Sequence, residues 1–146
     1  MQKILLITIL TFGLQANTEE KIKKACDEHI GKACTELGVL YQLGKDLNQS
    51  DEKAKVYYIK ACDSNHALGC SNLADLYYLG QGTEQNYTKA KLYYEKSCKL
   101  GNKKGCKDLK TLMGENEARK QIKDEFERLK KELDLLKKEA ELLDKI

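Results

Sequence analysis

Apolar and small side chains recur along the chain at helical spacing, and the pattern returns every 36 residues. A first helical segment follows Ser50 in one copy and Asn86 in the next, where an N-cap is expected. The residues on its apolar side are Ala54, Tyr57, Tyr58 and Ala61 in one copy, and Ala90, Tyr93, Tyr94 and Ser97 in the other.

A second helical segment follows a short polar turn in each copy. It contains Leu73, Leu76 and Tyr77 and ends near Gly80 and Gly82. The preceding copy has leucines and a tyrosine at the same spacing and stops at a glycine, with residues Leu37, Leu40, Tyr41 and Gly44. Two helices joined by a tight turn predict an antiparallel αα-hairpin.

A fixed period of this length is typical of proteins that stack one supersecondary unit on the next. We therefore predict an all-α fold, a solenoid of about three αα-hairpins over residues 17–114, with units at about 17–45, 50–82 and 86–114. The third unit departs from the pattern after Leu109, as expected of a terminal, capping repeat.

Residues 115–146 change character and predict one long amphipathic helix that resembles a coiled-coil strand. Its apolar residues alternate in steps of four and three, namely Ile122, Phe126, Leu129, Leu133, Leu136, Ala140 and Leu143. Two hypotheses follow: the helix caps the third repeat, or it binds another helix, including that of a second copy.

The first 16 residues have the organisation of a signal peptide. Lys3 supplies the positive charge, residues 4–14 are apolar, and Ala16 is a small residue for cleavage. The apolar stretch is too short to span a bilayer as a helix, so we predict export to the periplasm or the medium and no stable membrane span. The alternative is a retained anchor or a buried helix.

Six cysteines form three C-x7-C pairs at the same period, at Cys26, Cys34, Cys62, Cys70, Cys98 and Cys106. An even number of regularly spaced cysteines in an exported chain indicates disulfides. Six cysteines allow fifteen pairings, and the periodicity favours the three local ones. Zinc ligation is the weaker alternative, because His29 and His66 are not equivalent in the repeat.

Composition agrees with a helical protein of one small domain and an appendage. The 146 residues include no Pro and no Trp, and the formal net charge is only +3. Charges of both signs are interspersed, which does not match the basic stripe of a nucleic-acid-binding protein. We predict no nucleic-acid partner, no metal and no cofactor.

The repeat resembles a known family. One copy is similar to the Sel-like repeat (SLR). The residues that carry the similarity are Lys53-Ala54, Tyr57-Tyr58, Lys60-Ala61-Cys62, Gly69-Cys70, Leu73, Tyr77 and Gly80-Gln81-Gly82. The paired cysteines are similar to those of the Helicobacter cysteine-rich proteins, exported bacterial proteins commonly classed as β-lactamases. The resemblance covers residues 18–114. It implies a right-handed αα solenoid, the disulfides Cys26–Cys34, Cys62–Cys70 and Cys98–Cys106, and affinity for penicillin-type ligands or cell-wall peptides.

The residues themselves do not supply a recognisable catalytic site. Ser50 and Lys53 form an S-x-x-K sequence, but the S-D-N and K-T-G elements of serine β-lactamases are absent, and Ser50 is expected to be an N-cap. The resemblance thus implies a β-lactam- or peptide-binding protein with β-lactam hydrolysis left open. The alternative is a non-catalytic protein–protein interaction scaffold of the bacterial envelope.

A concave groove lined by the first helices of the hairpins is the predicted binding site for a peptide, a cell-wall fragment or a β-lactam. One ring of each Tyr-Tyr pair is expected in the core and the other in the groove, and packing of both rings is the alternative. The groove candidates are Tyr57, Tyr58, Tyr93, Tyr94, Lys60 and Lys96, with Glu95 and Asn65 nearby.

Two sequences fit an acidic-x-Asn-x-Ser/Thr glycosylation sequon. Their asparagines are Asn48 and Asn86, each in a loop before a first helix. Glycosylation at these sites is a hypothesis, and its alternatives are a chance match to the sequon and, for Asn86, the role of an N-cap.

Overall fold

The computed structural model of the protein describes residues 18–45 and 47–143, and every regular element in these ranges is an α-helix. This confirms the all-α prediction. The predicted signal peptide, residues 1–16, lies outside the described residues. The helices are α1 (18–27), α2 (Gly31–Leu43), α3 (Asp51–Asp63), α4 (Ala67–Leu79), α5 (Tyr87–Lys99) and α6 (Lys103–Leu143).

Three disulfides close the three hairpins and confirm the local pairing. Each joins the end of a first helix to the start of the next, with Cα–Cα distances of 4.6, 4.5 and 4.5 Å along the chain. The pairs are Cys26–Cys34, Cys62–Cys70 and Cys98–Cys106. Because no cysteine is free, none offers a thiolate to zinc, and the metal alternative for these residues is wrong.

The same turn joins the two helices of every hairpin. His29, Asn65 and Gly101, spaced by the repeat period, adopt positive φ angles of 65°, 57° and 91°. In the second turn, the Asn65 amide donates to the Cys62 carbonyl at 3.0 Å and the next amide donates to the Ala61 carbonyl at 2.9 Å. This pair of bonds is the Schellman arrangement, which satisfies the last carbonyls of a helix.

The first helices of the second and third hairpins begin at the predicted caps. The Ser50 hydroxyl accepts from the Lys53 amide at 3.2 Å, and Asn86 Oδ1 accepts from the Lys89 amide at 2.9 Å. The backbone amides of the same two caps donate to tyrosine carbonyls of the preceding hairpin, Ser50 to Tyr41 at 2.9 Å and Asn86 to Tyr77 at 2.8 Å. Each cap therefore also fixes one hairpin to the next.

The core of the repeat domain lies where helices of successive hairpins pack, α2 on α3 and α4 on α5, with α3 on α4 inside the middle hairpin. Small residues allow the close approach within a hairpin. A Cβ on Gly69 would lie 2.4 Å from the Ala61 Cβ, so no larger residue fits there. The side chains that are fully buried and largest are Tyr58, Leu37, Leu73, Leu76 and Leu112.

The last helix is longer than the repeat pattern predicts. Contacts divide the chain into two compact units between Leu109 and Lys110, yet α6 runs without interruption from Lys103 to Leu143. The second helices of the earlier hairpins end at Gly44 and Gly80, both with positive φ. Asn116 stands one period after Gly80 and lies within α6, so the positive-φ glycine that ends the earlier helices has no counterpart there.

Within the described ranges, no helix combines the length and the apolarity needed to cross a membrane. The longest helix, α6, is rich in charged residues.

Replacing Gly101 with alanine is expected to lower the free energy of unfolding by about 1 kcal/mol, because a left-handed φ strains an L-residue. No atom lies within 4 Å of the added Cβ, so the effect is conformational and not steric. Gly114→Ala is the matched control: it lies inside α6, also with nothing within 4 Å. It is expected to raise stability by up to about 1 kcal/mol. Chemical denaturation followed by circular dichroism measures the free energy of unfolding of both variants. Changes of the same sign in the two variants would contradict the turn geometry.

Replacing Cys62 and Cys70 together with alanine is expected to destabilise the protein by about 2.5 kcal/mol. Without the disulfide, which closes a ring of about nine residues, the unfolded chain has a higher conformational entropy. The other two disulfides remain as internal controls and are verified by peptide mapping. An unchanged denaturation midpoint would show that the middle hairpin does not depend on its disulfide.

Candidate protein-binding surface

Two pairs of parallel tyrosine rings connect successive hairpins. Tyr41 of α2 stacks on Tyr57 of α3 with ring centroids 5.4 Å apart and an interplanar angle of 5°. Tyr77 of α4 stacks on Tyr93 of α5 at 5.7 Å and 7°. The two pairs, here called the first stack and the second stack, are related by the repeat period.

Lysine side chains cover both outer faces of the first stack. The Lys53 ammonium lies 5.2 Å from the Tyr41 ring centroid, and the Lys60 ammonium lies 5.7 Å from that of Tyr57. Lys60 Nζ also forms an ion pair with Asp27 Oδ1 at 3.0 Å. Cation–π contact and ion pairing therefore hold one ammonium between a ring face and a carboxylate.

The second stack is covered at one end only. Lys89 lies 5.1 Å over the Tyr77 ring. Lys96 occupies the position of Lys60 in the repeat, but its ammonium donates to the Cys62 carbonyl at 2.7 Å. In the part of the chain that the structure describes, no ammonium lies over the Tyr93 ring. Tyr93 is partly exposed to the solvent.

A carboxylate accompanies the open ring of the second stack. Asp63 is the equivalent of Asp27 in the next repeat and is exposed. Among the described residues it forms no ion pair, whereas Asp27 is paired with Lys60. Burial, then the neighbouring Tyr77, then the charge of Asp63 hold the pKa of Tyr93 above its ordinary value.

Asp63 also lines a cleft between the turns of the first two hairpins. The cleft has a volume of about 360 Å³. Its lining residues are Cys26, Asp27, His29, Lys60, Asp63, Ser64 and Asn65. Of these, only Lys60 and Asn65 are predicted from the sequence as candidates for binding. The occurrence of Asp27 and Asp63 at the repeat period is the signal that could have identified these two carboxylates.

The other tyrosine of each Tyr-Tyr pair lies in the core, where no ligand can reach it. Tyr58 has no exposed surface and donates to Gln42 Oε1 at 2.8 Å. Tyr94 is 4% exposed and donates to Asp75. Burial raises the pKa of Tyr58 to about 12. Burial, and next the hydrogen bond to Asp75, also raise the pKa of Tyr94.

The remaining predicted sites lie on the surface or in caps. Asn48 is exposed in the loop before α3, and Asn86 uses its Oδ1 as the cap of α5. Asp46, the acidic residue of the first sequon, lies outside the described residues. Glycosylation of both asparagines stays a prediction. The Ser50 hydroxyl donates to Glu52 at 3.1 Å in addition to its cap bond, so this hydroxyl belongs to a helix terminus.

The fold and the surface define a repeat protein of the Sel1 class, and comparison with known proteins agrees. The Sel1 repeat profile matches residues 31–66 and 67–102. No curated protein sequence gives a significant match.

Solved structures show the same architecture. Helicobacter pylori cysteine rich protein B (HcpB) is 35% identical, with a TM-score of 0.62 over 64% of this chain and 71% of its own. A Sel1 repeat protein from Oxalobacter formigenes is 27% identical, with a TM-score of 0.60 over 62% of this chain and 37% of its own. The chain also resembles c5321, a protective antigen of uropathogenic Escherichia coli with an SLR fold. That match has 29% identity and a TM-score of 0.65, and covers 68% of this chain and 21% of the antigen.

This chain therefore belongs to the cysteine-rich Sel1 repeat proteins typified by HcpB. The three disulfides are typical of an exported protein.

Tyrosine burial predicts a specific loss of stability at alkaline pH. The pKa of Tyr58 is about 12 in the folded protein against a reference value of 10.0. The contribution of the Tyr58 hydroxyl to the free energy of unfolding is fully present below its pKa in the unfolded chain. It is lost as the pH rises through its pKa in the folded protein. We expect the free energy of unfolding to fall between pH 10 and pH 12. The fall should be smaller in Tyr58→Phe, which is less stable at neutral pH by about 1 kcal/mol because it lacks the bond to Gln42. Equal pH dependence in both proteins would contradict the burial of this hydroxyl.

Proposed function

We propose that this protein is a non-catalytic protein–protein interaction scaffold, acting in the periplasm or outside the cell, which binds a partner segment that carries an arginine or a lysine. The repeat fold supports this proposal because stacked hairpins offer an extended surface on which each unit presents equivalent side chains. The single observation that carries it is the difference between the two tyrosine stacks.

The first stack serves as the template for recognition. There, Lys60 places its ammonium 5.7 Å from the Tyr57 centroid and 3.0 Å from the Asp27 carboxylate. In the second stack, the equivalent ring and carboxylate belong to Tyr93 and Asp63, while Lys96 is held by the Cys62 carbonyl. A cationic side chain of the partner has the chemistry to take the place over Tyr93 that Lys60 takes over Tyr57.

Arginine is the better of the two cations for this site. Its planar guanidinium stacks on an aromatic face and donates two parallel hydrogen bonds to a carboxylate. Tyrosine is also among the residues that contribute most to protein interfaces. The adjoining cleft of about 360 Å³, with Ser64 and Asn65 in its lining, supplies polar groups for the backbone of the partner segment.

Selection of peptides from a displayed random library on the full, oxidised chain tests the proposal. Selected peptides are expected to be enriched in arginine or lysine, and Tyr93→Ala and Asp63→Asn should each weaken their binding by about tenfold. Tyr57→Ala is the matched control, since Lys60 already occupies the equivalent place over this ring and Tyr57 does not line the cleft, and it should change binding less. Equal effects at the two stacks, or selected peptides without cationic residues, would contradict the proposal.

Purified protein should also be assayed for turnover of a chromogenic β-lactam, the activity that the family resemblance implies. We expect none above the uncatalysed rate. Hydrolysis that copurifies with the oxidised chain and is altered in the Tyr93→Ala variant would replace the scaffold proposal with an enzymatic one.

A further inference from the structure

The exposed apolar stripe of α6 has the composition of one strand of a coiled coil. Five of its members are more than half exposed: Ile122 at 70%, Phe126 at 64%, Leu129 at 51%, Leu133 at 52% and Leu136 at 56%. Their alternating steps of four and three residues assign Phe126 and Leu133 to heptad position a, and Ile122, Leu129 and Leu136 to position d. From Ile122 to Ala140 the stripe is about 27 Å long, at about 1.5 Å per residue.

Charges beside the stripe are sorted by sign. Position e is occupied by Lys123, Lys130 and Lys137, and position g by Glu125, Glu132 and Glu139. The outward position f carries Asp124, Lys131 and Lys138, which are of mixed sign. Position b is also uniformly acidic, with Glu127, Asp134 and Glu141, but of the positions with one sign only e and g flank a helix–helix interface.

This arrangement selects one partner and one orientation. In a parallel pair, a g residue faces the e residue five positions further along the other helix, so that Glu125 meets Lys130 and Glu132 meets Lys137 of a second copy. In an antiparallel pair, g faces g and e faces e, which would place glutamate against glutamate and lysine against lysine. Like charges repel across such an interface.

We propose that α6 forms a parallel, in-register, two-stranded coiled coil with α6 of a second copy of this chain. The apolar stripe supplies the buried seam, and the two classes of Glu–Lys pair fix the orientation. This proposal rests on residues 122–140 and is independent of the tyrosine stacks.

Sedimentation of the full, oxidised chain from micromolar to millimolar concentration tests the association. We expect a monomer–dimer equilibrium. Leu133→Glu at the centre of the stripe should abolish the dimer. Leu135→Glu, which changes a leucine outside the stripe that is 61% exposed against 52% for Leu133, should preserve it. A monomer at every concentration, an assembly larger than a dimer, or equal effects of the two substitutions would overturn the proposal.

Paired charge reversals test the orientation with matched composition. K130E/K137E is expected to weaken dimerisation by about tenfold or more, because it turns every predicted e–g attraction into a repulsion. K131E/K138E makes the same change at the neighbouring f positions and should have little effect. Adding E125K/E132K to K130E/K137E should restore the dimer. Equal effects at positions e and f would overturn the assignment of the interface.

Carbodiimide coupling of mixed isotopically labelled and unlabelled chains then reports the direction of the helices. Amide links between Glu132 of one chain and Lys137 of the other are expected. A dimer that gives no such inter-chain link would overturn the parallel arrangement.

Discussion

The disulfide that closes each hairpin is the constraint on which the rest of the structure depends. It joins positions about 4.5 Å apart at Cα and closes a ring so short that the turn inside it has little freedom. The residue at positive φ and the two Schellman hydrogen bonds occur in the same place in all three turns. With the turn fixed, the two helices of a hairpin approach closely at Gly69 and its equivalents, and every following contact recurs at the same spacing. A short array with a small core gains from this because local cross-links reduce the entropy that folding must overcome.

Strict repetition makes the exceptions informative. Lys60 and Lys96 are the same residue type at the same position, and yet one lies between a ring and a carboxylate while the other binds a backbone carbonyl. The Tyr93 ring therefore lacks the ammonium that the equivalent lysine places over Tyr57. In a repeat protein, differences between equivalent residues of successive repeats show which side chains depart from the shared packing.

Much of the fold is predictable from the sequence because its determinants are local. These determinants each act over a few residues, and the structure contains all of them. They are the N-caps Ser50 and Asn86, the glycines at the ends of α2 and α4, and the cysteine pairs. The surface is less predictable because it depends on side-chain choices between competing partners. Periodicity cannot tell that the Tyr58 ring is buried and the Tyr57 ring stacked on α2, since neighbouring residues of a helix differ by only 100° in direction. Nor does periodicity show that Lys96 donates a hydrogen bond to the Cys62 carbonyl, because this bond depends on the three-dimensional proximity of the two groups.

The uninterrupted course of α6 past Asn116 limits how this architecture can change. A further unit at the carboxyl side would require the chain to reverse direction where the earlier units do, and α6 is helical at that position. A hairpin inserted between units that end in glycine would reproduce the existing reversals of the chain, whereas a hairpin added beyond α6 would require a new one.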